Sequence, residues 1–209
     1  MTPVSLQQRP LVDAAMAQVA VVRPELCKAF AGLPKMSTVF LDRDGVVNKK
    51  PPEGQYVTSW RKFEIIPGAV QAVRLLNEAG VLVIVVTNQR GVARGAMTDE
   101  AVRAIHGRML AAMMAAGARL DGVYYCPHEE ASCDCRKPMV GLFMQAKSAF
   151  PDITFEDSFV IGDSERDLEA GRRLGARVIR IGERVVPGEL WASSLLDAVT
   201  RHVLAGGSE

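Results

Sequence analysis

Five short apolar runs, each ending abruptly in polar or small residues, constrain this chain more than any other feature. They fall at residues 37–42, 81–87, 122–125, 158–161 and 176–181. Their length and β-branched content suit strands covered on both faces. The stretches between them carry helix punctuation. Pro67-Gly68 opens a helical stretch to about residue 79, and Gly80 follows as its terminator. Thr98, with Asp99 and Glu100 behind it, caps a longer helix that ends near Gly117. Residues 139–150 and 167–174 read as two more helices, the second followed by Gly175. Strand and helix alternating in this way predict an α/β fold, a doubly wound, Rossmann-like parallel sheet with helices on both faces. Residues 176–181 are expected to be its last strand and 190–204 a surface helix.

Ligands of such a sheet bind beyond the carboxyl ends of the strands. Asp42 and Asp44 follow the first strand, Thr87 and Asn88 the second, and Asp163 a later one. At i and i+2, Asp42 and Asp44 point the same way from an extended chain. Two such carboxylates raise each other's pKa unless a cation lies between them. Mg²⁺ held by Asp42 and Asp163 supplies that cation, since hard oxygen ligands suit it and it commonly accompanies phosphate. Asp42 can then stay ionised and attack phosphorus. Asp44 can protonate the leaving oxygen and later activate water. Thr87 can bind phosphoryl oxygens through its hydroxyl and backbone N–H. Lys137, in Cys135-Arg136-Lys137-Pro138, is the candidate to offset their charge.

DRDG followed by Asn48, TNQ from Thr87, RKP around Lys137 and GDSERD around Asp163 resemble, in order, the four motifs of the haloacid dehalogenase (HAD) superfamily. The resemblance covers roughly residues 36 to 183. It implies a phosphatase with Asp42 as nucleophile, Asp44 as general acid/base, and Thr87 and Lys137 as phosphoryl stabilisers. It also implies Mg²⁺ bound by Asp42, the Asp44 backbone carbonyl and Asp163, with Asp167 supporting the site. Asp42 and Thr87 are 45 residues apart, Thr87 and Lys137 50, and the elements above fill both intervals. A HAD-type domain without a large cap is expected, its specificity made by loops.

Cys126-Pro127-His128 and Cys133-Asp134-Cys135 gather three thiols and an imidazole, while Cys27 stands apart. Such a set suits a closed, tetrahedral structural Zn²⁺ and a reducing compartment. The zinc would pin the loop that leads into Arg136 and Lys137. CPH…CxCRKP narrows the resemblance to the subgroup holding the heptose 1,7-bisphosphate and histidinol-phosphate phosphatases. It implies that Arg136 contacts substrate and that Gly54, Gln55 and Tyr56 form a substrate-facing loop. Asn48, Asn88, Gln89 and Arg90 complete the candidate substrate-binding set. Basic residues near the strand ends (Lys49, Lys50, Arg61, Arg90, Arg94, Arg136) suit a second phosphate. Glu53, Glu129, Glu130 and Asp134 could instead receive the cationic groups of histidinol phosphate. The VTNQRGVARG segment favours the heptose substrate, a small phosphorylated sugar.

Lys and Arg number 25 against 24 Asp and Glu, a balance that disfavours a nucleic-acid partner. A non-catalytic phosphate- or zinc-binding module would lack the nucleophile or the acid, and both are present. No apolar run approaches the roughly 20 residues of a membrane span, and no convincing cleavage signal follows the N-terminal apolar stretch. A cytoplasmic protein is expected, and a monomer is compatible with it. Pro3, Pro10, Pro24 and Pro34 interrupt a weak helical pattern over residues 11–22. Residues 1–35 are therefore expected to be a poorly ordered extension of a phosphatase domain at 36–209, with its zinc loop at 126–135. Met109, Met113 and Met114 read as helix packing, and His106 and His202 carry no motif. Trp60 and Tyr56 suit the pocket or the core equally.

Overall fold

The computed structural model describes residues 19–22, 37–183 and 187–205. Among the described residues seven strands form one sheet: β1 (Val19–Val22), β2 (Thr38–Leu41), β3 (Leu82–Asn88), β4 (Gly122–Cys126), β5 (Phe159–Gly162), β6 (Arg177–Ile181) and β7 (Leu190–Ala192). Their spatial order is β1-β4-β3-β2-β5-β6-β7. All neighbours run parallel except the edge strand β1, which is antiparallel to β4.

The helices are α1 (Ala69–Glu78), α2 (Asp99–Ala115), α3 (Gly141–Ala149), α4 (Glu165–Arg173) and the short α5 (Leu195–Ala198). Period-2 alternation sorts the strand side chains between two cores. Val39, Leu41, Val83, Val85, Phe159 and Ile161 face α1, α2 and α5. Phe40, Ile84, Val86, Tyr124 and Val160 face α3 and α4. Along α2 the apolar stripe is Ile105, Met109 and Met113, all buried. Met114 lies off that stripe and is 48% exposed, unlike its two neighbours in the methionine group. The expected caps are present: Thr98 accepts from the Ala101 N–H, and Gly80 and Gly117 adopt positive φ beyond their helices.

Three segments differ from the sequence expectation. Val19–Val22 pairs with β4 as a strand, where only a broken helical pattern was legible. The chain does not end its sheet at β6, because Leu190–Ala192 adds β7. The helix expected over 190–204 starts only at Leu195 and continues to Val203, burying Leu195, Ala198 and Val199 against the α1 side of the sheet. Cys27 lies outside the described residues. No described helix is long and apolar enough to cross a membrane.

The winding positions the site. From β2 the chain moves to β3 and β4 on one side, then returns to β5 and β6 on the other. The carboxyl ends of β2 and β5 therefore flank the point where the winding reverses, which is where a crevice opens.

Candidate active site

Asp42 is the first residue beyond β2, and its N–H donates to the Ile161 carbonyl of β5 at 2.9 Å. The chain then turns at Gly45, whose φ is +92°. A Cβ there would sit 2.2 Å from Asp163 Oδ2, so only glycine lets the loop lie against that carboxylate. Gly162 has the same need, since its Cβ would fall 2.2 Å from the Cβ of Asp167. These close approaches gather Asp42, Asp163 and Asp167, each offering an oxygen within 4.8 Å of the others.

Lys137 reaches this cluster from the far side of the cleft. Its Nζ lies 2.9 Å from Asp42 Oδ1 and 2.6 Å from Asp167 Oδ1, and it donates to the Val86 carbonyl at 2.6 Å. Burial opposes its charge, but Asp167 and Asp42 outweigh that and raise its pKa. Asp42 is pushed up to about 7, burial prevailing over the pull of Lys137. Asp163 is likewise raised by burial, against a hydrogen bond from Lys50 Nζ at 2.7 Å. Carboxylates crowded and desolvated in this way fit a divalent cation. Oxygens sharing one Mg²⁺ at about 2.1 Å stand about 2.9 to 4.2 Å apart, which fits within the 4.8 Å that bounds Asp42 and Asp163.

Asp44 behaves differently. Its carboxylate accepts from Arg43 Nη2 at 3.0 Å on both oxygens, from Asn48 Nδ2 at 2.9 Å and from Gln89 Nε2 at 2.9 Å. Burial works against ionisation, yet the Arg43 charge and these donors lower its pKa below the ordinary carboxylate value.

The cleft has a volume of about 590 Å³. Asp42, Asp44, Thr87, Asn88, Gln89, Lys137 and Asp163 line it from the strand ends, and Gly54, Gln55 and Tyr56 from the loop opposite. Besides Lys137, its cations are Lys50, Arg90, Arg136 and Arg166. Arg166 was singled out by no sequence argument beyond its place in GDSERD. Of the other basic candidates, Lys49 pairs with Glu64 and Arg94 with Glu129, and neither they nor Arg61 line the cleft. Asn48 is fully buried, turned onto Asp44 and the Lys49 carbonyl rather than into the cleft. Asn88 lines the cleft but spends its amide on the Lys137 backbone, donating to the carbonyl and accepting from the N–H. Tyr56 is at the cleft, whereas Trp60 stacks on Phe63.

Cys126, His128, Cys133 and Cys135 also converge. Cys133 Sγ lies 3.5 Å from Cys126 Sγ and 3.2 Å from Cys135 Sγ, and His128 Nδ1 lies 3.2 and 3.6 Å from Cys135 and Cys126. A tetrahedral zinc with bonds of about 2.3 Å to sulfur and about 2.0 Å to nitrogen sets ligand separations near 3.5 to 3.8 Å. The cluster is thus about one ion wide. Hydrogen bonding from Cys135, against burial, lowers the Cys126 pKa, the direction that favours the thiolate a metal binds. Cys135 leads directly into Arg136 and Lys137.

Comparison with known proteins points in the same direction. A model of HAD-hydrolase-like proteins matches residues 134–183. Over 182 residues the chain is 36% identical to a D-glycero-beta-D-manno-heptose-1,7-bisphosphate 7-phosphatase of Rhodopseudomonas palustris, covering 83% of this chain and 93% of the relative. It is 40% identical over 139 residues to a D-glycero-alpha-D-manno-heptose-1,7-bisphosphate 7-phosphatase of Mycobacterium tuberculosis, covering 66% and 73% of the two chains. Among solved structures it is similar to a D,D-heptose 1,7-bisphosphate phosphatase from B. bronchiseptica complexed with magnesium and phosphate. That match has a TM-score of 0.73 and 29% identity, covering 80% of this chain and 98% of the other.

Proposed function

Because the chain belongs to the HAD-like heptose-bisphosphate phosphatase family, we propose that it removes the 7-phosphate of a D-glycero-D-manno-heptose 1,7-bisphosphate through an aspartyl-phosphate on Asp42. The observation that carries this reading is the contact of Lys137 with Asp42 beside Asp44, in a cleft lined by Lys50, Arg90, Arg136 and Arg166. Bound at Asp42, Asp163 and the Asp44 carbonyl, Mg²⁺ would neutralise the crowded carboxylates and the phosphoryl oxygens.

Asp42 attacks phosphorus. Lys137 steadies its Oδ1 and, with Thr87, offsets the charge on the transferring oxygens. Asp44 delivers a proton to the leaving sugar oxygen. Its donors favour the ionised form, so it takes up that proton when the anionic substrate enters beside it. In the second half Asp44 is ionised again, the form that draws a proton from the attacking water. Asp167 holds Lys137 from behind and caps α4 through Ser164. The phosphatase domain takes in the edge strand Val19–Val22 as well as the elements from Thr38 onward.

Arg90, Arg94, Arg136 and Arg166 share only Glu129 and Glu130, so this cluster keeps a cationic surplus that suits a second phosphate on the sugar. Histidinol phosphate would need free acids there. Glu129 pairs with Arg90 and Arg94, and Glu130 with Arg90, Arg136 and Arg166, which leaves Glu53 as the unpaired acid of the lining among the described residues. The test is phosphate release in Mg²⁺ from both heptose 1,7-bisphosphate anomers and from histidinol phosphate. The expected result is a large kcat/KM preference for one bisphosphate anomer, with one phosphate released per sugar. A preference for histidinol phosphate would overturn the substrate and keep the chemistry.

A further inference from the structure

Arg43 sits between the two acids of the opening motif and points the other way. An extended chain sends Asp42 and Asp44 to one side and Arg43 to the opposite one. There it is fully buried, its guanidinium carbon 5.7 Å from the centroid of the Phe63 ring. A buried guanidinium is costly unless its donors are met. Its Nη2 donates back to both oxygens of Asp44 and its Nη1 donates to His106 Nε2 at 2.9 Å, while its Nε is buried without a partner, so these contacts are what offset the burial of its charge. A guanidinium accepts nothing, so Nε2 is the lone-pair nitrogen of His106 and Nδ1 carries the proton.

His106 comes from the middle of α2, 63 residues away in the chain, and is itself fully buried with its ring edge-on to Tyr125. Its Nδ1 is buried without a hydrogen-bond partner. An unpaired buried donor costs stability and is uncommon. Packing alone would be better served here by an apolar side chain. The feature that an apolar side chain cannot supply is the acceptor for Arg43 Nη1.

We propose that His106 is a positioning residue for the phosphatase reaction, holding Arg43 so that its Nη2 presents the Asp44 carboxylate to the cleft. Without that acceptor, Nη1 is left buried and unpaired. The guanidinium then gains by turning both terminal nitrogens onto Asp44, which draws the carboxylate down from the cleft. Asn48 and Gln89 still bond Asp44, so it is displaced rather than released. Substrate binding, which falls to Lys50 and the cleft arginines, is little affected.

The inference rests on the phosphatase reading, and three variants test it: H106L, H106N and H106Q. The Gln amide oxygen reaches the place of Nε2, and the shorter Asn amide does not. Steady-state kinetics on the bisphosphate should give H106L and H106N a kcat lower by about 10- to 100-fold, the cost of misplacing a reacting group by about 1 Å. KM should stay close to wild type, and H106Q should recover most of kcat. A crystal structure of H106L should find the Asp44 carboxylate drawn toward Arg43. Wild-type kcat in H106L, or equal losses in H106N and H106Q, would overturn the role of His106. Full turnover in Asp42→Asn would instead overturn the phosphatase mechanism, so the two failures are distinct.

Discussion

Lys137→Met removes the cation at the centre of the site while keeping a stem of similar length. The ammonium it deletes is 3% exposed and pairs with both Asp42 and Asp167. Taking one partner out of a buried ion pair costs about 3–5 kcal/mol, because the other charge is left uncompensated. Here two carboxylates are left. Asp42 already stands at about 7 through burial, and losing Lys137 raises it further. The sign of the pH effect follows. Between the ordinary value of 3.8 and the raised one, the folded state binds a proton that the unfolded state does not. Stability therefore falls as pH rises through that window, by up to about 1.4 kcal/mol per pH unit for each such group. Wild type shares that fall up to about pH 7, so the gap between variant and wild type should stay level from about pH 5 to 7 and widen from there toward pH 8 and above, where the Asp42 of the variant still holds its proton. Urea unfolding followed by the fluorescence of Trp60 and Trp191, in magnesium-free buffer with zinc retained, measures this. Adding Mg²⁺ at pH 8 should return part of the loss. A deficit independent of pH, or none at pH 8, would refute the reasoning.

Three further outcomes are expected. Asp42→Asn should abolish phosphate release while leaving zinc content and circular dichroism unchanged; measurable wild-type turnover would remove Asp42 as nucleophile. In the magnesium-free protein Lys50 lies where it competes for Asp163, but its side chain is 56% exposed, so the pair contributes at most about 1 kcal/mol. Titration calorimetry should therefore find Mg²⁺ bound up to about five-fold more tightly by Lys50→Met, and weaker binding would contradict the competition. Burial holds His106 well below its ordinary 6.5, so the unfolded state binds the extra proton as pH falls through that value. Wild-type stability should decline below pH 6.5 by up to about 1.4 kcal/mol per unit from this group, and denaturant titrations of H106Q should give a flatter profile.

Much of the site was legible because its residues stand in motifs that one strand end can hold. Asp42 and Asp44 share a direction by the geometry of an extended chain, and four zinc-ligating side chains within ten residues have few other uses. The residues that escaped are those whose partners lie far along the chain. His106 looked like an ordinary helical residue until the fold brought it beneath Arg43. Asn48 and Asn88 read as substrate contacts, yet one is turned onto Asp44 and the other holds the Lys137 backbone. Arg166 became a cleft residue only when α4 placed it beside Arg136.

The same division holds for the fold. Local apolar periodicity and helix caps, which depend on neighbours within a few residues, determined the alternation of strands β2 to β6 with helices α1 to α4. Edge elements carry little such signal. Val19–Val22 and Leu190–Ala192 are short, and each is a strand only because a neighbouring strand offers it hydrogen bonds. Sequence alone thus determined which groups could do phosphoryl chemistry, since composition and spacing encode ligand type and direction. Tertiary structure alone decided which of them face substrate and which hold the others in place. That choice depends on the reversal of winding between β2 and β5, a relation between residues more than a hundred positions apart.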